Sequence, residues 1–191
     1  VKKYIYNWTN YRRVFFVWSK TDMSNLRLIN ETTATSVASL SITDIFSADF
    51  DIYKVTINSD GFSGNTALDV RYINSSGSIV TASEYDYARQ LLKADTTPAE
   101  DRNTNQSFYY TGELIDNGLG QVLYLFNPYS SSSYTFSLFQ NQSMASTNGR
   151  GGKGIAVLTQ TNSITGIHLY SDNSGTITNL KFRTYGLRVD S

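Results

Sequence analysis

A chain of 191 residues with no cysteine, and with 16 basic and 16 acidic groups, has room for one substantial core and holds it without disulfides. The lack of cysteine excludes a thiolate nucleophile and cysteine-ligated zinc, and the zero net charge argues against a general attraction to nucleic acid or to an anionic membrane. The 14 Tyr, 10 Phe and 2 Trp, set among Ser, Thr and Asn with only 2 Pro, are a β-sheet composition, because aromatic and β-branched residues suit strands and small polar ones suit tight turns.

Residues 1–20 stand apart. They hold five cations (Lys2, Lys3, Arg12, Arg13 and Lys20) and no acid, with Tyr4, Tyr6, Trp8 and Tyr11 spaced mostly by two. They lack the unbroken apolar stretch of a secretory signal, and no run in the chain approaches the length of a membrane span. The spacing predicts an extended N-terminal arm or an edge strand over 1–26, ahead of one β domain over 27–191.

Strands follow. Val37–Thr43, Ile52–Asn58 and Leu68–Ile73 each alternate with period two, which puts one set of side chains inside and the other outside. Turn chemistry separates these runs at Ser59-Asp60-Gly61, Asn74–Gly77, Asp116-Asn117-Gly118 and Asp172–Gly175. Ser83–Ala94 reads as one short helix, with Ser83 as cap and Ala88, Leu91 and Leu92 on one face. Asp95–Gln106 is polar, contains Pro98 and reads as a long loop. Strands return at Gln121–Phe126, Tyr134–Phe139, Gly154–Thr159, Ile164–Tyr170 and Ile177–Val189. Eight to ten strands joined by turns fit an antiparallel two-sheet sandwich.

The search for chemistry finds little that converges. The one histidine, His168, shares a strand face with Gly166 and Tyr170 and reads as an outward-facing strand residue. No nucleophile-elbow sequence supports a serine triad. The group Asp44, Asp49 and Asp51 has oxygen ligands but no calcium-loop signature, so no metal and no cofactor is expected. Asn148–Gly154 is glycine-rich, but Lys153 is followed by Gly154 and a strand-like run. That breaks the phosphate-loop pattern and predicts a flexible loop in which Arg150 and Lys153 contact a partner's carboxylates or a glycan.

Three blocks resemble a jelly-roll domain found in structural proteins of tailed bacteriophages, both tail-associated and head-decorating. The first is Ser36–Ile45 through Asp51–Ile57, similar to the family's opening strand pair. The second is Val70-Arg-Tyr-Ile-Asn-Ser-Ser-Gly-Ser78 followed by Tyr85-Asp86-Tyr87. The third is Asn162–Tyr170, then Ser174-Gly-Thr-Ile177, Phe182 and Tyr185-Gly186-Leu187, similar to a closing hairpin that ends in Tyr-Gly-Leu. The resemblance spans roughly 36–190; the first 30 or so residues have no counterpart in it, and the 83–106 insertion is longer than its pattern.

What the resemblance implies is a non-enzymatic virion protein that works by assembly with coat or tail subunits and with copies of itself, such as a trimer. Its contacts are expected from Lys2, Lys3, Tyr4, Trp8, Arg12 and Arg13, since aromatic and cationic residues suit interface cores. The other reading of that segment is an edge strand whose cations face water. The alternative function is a carbohydrate-binding module or host-receptor-binding fibre domain, with Tyr109, Tyr110, Tyr129 and Tyr134 stacking on sugar rings. Nucleic acid and membrane are not expected partners.

Overall fold

The computed structural model describes residues 25–63, 67–112, 117–171, 173 and 175–187. Among these the chain is built of strands, with no helix. In chain order they are β1 Leu26–Ala34, β2 Ser39–Ile42, β3 Ile52–Ser59, β4 Gly61–Phe62, β5 Leu68–Asn74, β6 Tyr85–Lys93 and β7 Ala99–Gln106. The second half gives β8 Tyr109–Tyr110, β9 Asn117–Phe126, β10 Thr135–Ala145, β11 Asn148–Leu158, β12 Ile164–Ser171, β13 Ile177–Thr178 and β14 Leu180–Leu187.

The pairing order defines the architecture. One sheet runs β1-β14-β3-β9-β10-β11-β6-β7, a second runs β2-β12-β5-β8, and β13 pairs with β4. All pairings are antiparallel. If the two hairpins β6–β7 and β10–β11 and the short β4–β13 pair are set aside, eight strands remain in two sheets of four. They are β1-β14-β3-β9 facing β2-β12-β5-β8, and the chain crosses between the sheets at every step except β5 to β8. That is the double Greek-key winding of a jelly roll. The hairpins are insertions, one between β5 and β8 and one between β9 and β12. They pair with each other through β11 and β6 and so widen the first sheet to eight strands.

The core lies between the sheets. Tyr53, Val55, Leu123, Leu125 and Phe182 from the large sheet meet Leu68, Val70, Ile167 and Leu169 from the small one. At its centre the hydroxyls of Tyr72 and Tyr109 bond to each other at 3.0 Å. The Tyr85 hydroxyl accepts from the Tyr72 backbone N–H at 2.9 Å and donates to the Val80 carbonyl at 3.1 Å. Each buried phenol therefore has a polar partner, as burial requires.

Four local expectations are corrected. Ser83–Ala94 holds no helix: β6 pairs with β11 on one side and β7 on the other. The side chains that go inside are Tyr85, Tyr87 and Leu91, a period-two set, so cross-strand pairing overrides the helical spacing of Ala88, Leu91 and Leu92. Asp95–Gln106 is not all loop. β7 is an edge strand of polar residues, tied to β6 by Arg89–Asp101 at 2.8 Å and by Asn103 Nδ2 donating to the Tyr87 hydroxyl at 2.8 Å. The glycine-rich run 148–154 is paired strand, not loop, and Ile177–Val189 is broken by Asn179 at φ 47° into β13 and β14, with Val189 outside the described residues. The Asn74–Gly77 turn is as expected, with Gly77 at φ 78° and the Asn74 side-chain oxygen accepting from the Ser76 and Ser78 N–H groups. Asp116, Asp172 and Ser174 lie outside the described residues.

Candidate docking surface

β10 locates the surface. Its sequence, TFSLFQNQSMA, alternates strictly, yet apart from Phe139 the side chains turned inward are small or polar: Thr135, Ser137, Asn141, Ser143 and Ala145. Those turned to solvent include Phe136, Leu138 and Met144. A half-buried antiparallel strand ordinarily does the reverse.

Register carries this inversion across the sheet. One outward row runs Leu26, Leu187, Ile52, Phe126, Phe136, Val157 and ends at Asp86. The next runs Leu28, Tyr185, Lys54, Tyr124, Leu138, Ile155, Ala88 and ends at Arg102. Ile155 is 60% exposed, Leu138 47% and Phe136 45%. With strands about 4.8 Å apart and two rows seven strands wide, the apolar stripe covers on the order of 400 Å². That is the size of the largest apolar patch on an ordinary monomer, about 300–600 Å², which is often functional. The stripe deepens over β10, β11 and β6 into a groove of about 810 Å³, floored by Phe126, Phe136, Leu138, Ile155 and Val157 with Asp86 and Arg102 at its margin.

The other half of the same face is mostly polar. Thr56, Val122, Gln140, Lys153 and Gln90 share a row, and Asn58, Gly120, Gln142, Gly151 and the exposed Leu92 share the next. A second groove, of about 820 Å³, lies at that end and is lined by Asn58, Asp60, Asn117, Gln142, Arg150 and Asn179 among others.

The sequence-derived candidates fall in different places. Lys2, Lys3, Tyr4, Trp8, Arg12 and Arg13 lie outside the described residues. Tyr109 is fully buried, and burial pushes its phenol up to about 12, so it has no surface to offer a ligand. Tyr110 is half-buried, with Phe108 and Tyr87 edge-on and the Arg89 guanidinium 4.8 Å from its ring centre. Tyr129 and Tyr134 are exposed, and Tyr134 extends the apolar stripe, 6.5 Å from Phe136. Arg150 turns inward and pairs through both guanidinium amines with Asp95. The hydrogen bond from Arg150, and secondarily its charge, lowers the pKa of that carboxyl. Lys153 is exposed on the polar half of the outer face.

His168 faces outward on β12 and is half-buried. Its Nδ1 lies 2.8 Å from the Ser41 hydroxyl, and its ring stacks on Tyr170 at 5.6 Å. Burial, and secondarily the charge of Arg71, hold the imidazole below its ordinary pKa. Arg71 covers Tyr170 at 4.6 Å, so that ring is already engaged by two neighbours and is not a free stacking platform. Among the described residues no group of three or more His, Asp or Glu is arranged to hold a metal ion. Sequence reasoning missed the apolar stripe, although the alternating Phe136 and Leu138 were its signal.

Comparison with protein families and with curated proteins finds no match for this chain.

Proposed function

We propose that this is a non-enzymatic structural protein of a tailed-bacteriophage virion, head-decorating or tail-associated, that assembles with other virion subunits through the outer face of its eight-stranded sheet. The observation that carries the reading is the apolar stripe. Phe136, Leu138 and Ile155 are turned to water on a strand pair that puts serine, threonine and asparagine inside. A lone soluble domain gains nothing from that arrangement, whereas a subunit buried against neighbours gains the transfer of those side chains from water. The jelly-roll winding and the three resembling blocks point the same way, since such a closed sandwich leaves an outer sheet face free for symmetric assembly, a trimer for instance.

The test is quantitative mass spectrometry of purified particles, with the chain's abundance set against that of the major coat protein. A fixed ratio, near one for head decoration or low for neck or tail, is the expected result. Absence from particles overturns the reading.

One observation favours a second reading, a carbohydrate-binding or host-receptor-binding fibre domain. The polar groove of Asn58, Asn117, Gln142 and Asn179 presents amides of the kind that hydrogen-bond sugar hydroxyls. Glycan-array binding that is lost in Gln142→Ala would establish it, and a blank array removes it.

A further inference from the structure

We propose that the occupant of the apolar stripe is the chain's own N-terminal segment, residues 1–24. This rests on reading the outer face as the assembly surface and names what covers it.

Four observations converge on that segment. The first is continuity. The segment joins the fold at β1, whose Leu26 begins the first apolar row, so the chain arrives at the edge of the stripe and at its level. The second is composition. Val14-Phe-Phe-Val-Trp18 is an unbroken apolar run, and Tyr4, Ile5, Tyr6, Trp8 and Tyr11 precede it. The third is charge. Residues 1–24 carry five cations and one acid, whereas the rest of the chain carries eleven cations and fifteen acids, so segment and body attract. The fourth is reach. Twenty-four extended residues span about 80 Å, and the stripe from β1 to β6 is about 29 Å wide. With 19–25 used to reverse direction, residues 9–18 suffice to cross the stripe, which puts Val14–Trp18 over its β1 half and Trp8 beside its far margin at β6.

The same contact serves both the free and the assembled protein. In the free subunit the segment is tethered beside its groove at millimolar effective concentration. In a particle the identical segment of a neighbouring copy competes for the same groove. Exchange of like for like then links subunits at little energetic cost.

The chain supplies its own probe, because its two tryptophans, Trp8 and Trp18, both lie in the segment. Selective excitation of tryptophan in the full chain therefore reports on the segment alone. The expected result is blue-shifted emission shielded from acrylamide. In the double variant Leu138→Lys/Ile155→Lys the emission shifts red and quenching rises to that of the urea-unfolded chain, while circular dichroism stays that of the folded protein. Gln142→Lys, on the polar half of the face, leaves both unchanged.

Solvent-exposed emission in the unaltered protein overturns the proposal. So does shielded emission that the double variant leaves in place, since the segment then sits elsewhere. Particle incorporation of the same variant separates the two readings. If incorporation is lost while the tryptophans do not respond, the occupant is wrong and the assembly surface stands. If the tryptophans respond and incorporation persists, the occupant is right and this face is not the assembly surface.

Discussion

The ring of Phe139 on β10 occupies the space in front of Gly154 on β11, its partner in register, where any other residue would place a Cβ. On the other side a Cβ there would come within 2.6 Å of the Ala88 carbonyl and 2.8 Å of Arg89 Cβ. The glycine is therefore what lets a large aromatic close the inner face of the widened sheet between the two inserted hairpins.

Gly154→Ala is expected to cost about 1–3 kcal/mol, because the Ala88 carbonyl is backbone and has no rotamer with which to move aside. Urea unfolding of the variant measures this. Gly77→Ala is the informative contrast. A Cβ there meets nothing within 4 Å, so its cost comes only from the φ of 78°.

Tyr85→Phe is expected to cost more than Tyr72→Phe. The Tyr85 hydroxyl is the partner of both the Tyr72 N–H and the Val80 carbonyl, and removing it strands two buried backbone groups. Each such loss costs roughly 1–3 kcal/mol. The Tyr72 hydroxyl bonds only to that of Tyr109 among the contacts above, and a hydroxyl can rotate toward another acceptor. Equal unfolding midpoints for the two variants would count against this.

The same three phenols set the alkaline limit of the fold. Burial first, and neighbouring phenols second, raise Tyr72 well above its ordinary value, while burial outweighs hydrogen bonding in raising Tyr85 and in pushing Tyr109 up to about 12. A group whose pKa is raised by folding stabilises fully below its unfolded pKa, near 10 for tyrosine, and that contribution is lost as pH rises through the folded value. Stability should thus be flat up to about pH 10 and fall above it. Tyrosinate absorbance should show the three buried phenols ionising only together with unfolding. A smooth, fully reversible titration of all the tyrosines in the folded protein would contradict the burial.

How much of this the sequence discloses depends on which strand is read. β3, β5 and β12 alternate visibly because one face of each is largely apolar and the other largely polar. β7 does not, because an edge strand with little buried surface has no need of apolar residues. β1 has the same property and carries no strand signal. β11 reads as loop because it is glycine-rich, and Gly154 answers to Phe139, a demand set on another strand. β6 shows both periods at once, and only the pairing with β11 decides between them. The stripe is a subtler case. Alternation in β10 states that Phe136 and Leu138 share a face, but not whether that face is the inner one. The answer lies in Phe139, Leu123 and Val55, which fill the core from three different strands.

Substitution on the two faces of β9–β11 should therefore separate stability from association. Leu138→Thr and Ile155→Thr remove exposed apolar side chains and leave strand propensity intact, so each should shift stability by no more than about 0.5 kcal/mol. Leu123→Ala, in the register row of Phe139 and fully buried, should cost about 2–5 kcal/mol through the cavity it leaves. Sedimentation should respond in the opposite order. The outer-face variants lose self-association, and folded Leu123→Ala keeps it. A large stability loss in Leu138→Thr would mean that the stripe is covered by the described fold itself. No change in self-association would mean that the stripe is not the surface through which this protein associates.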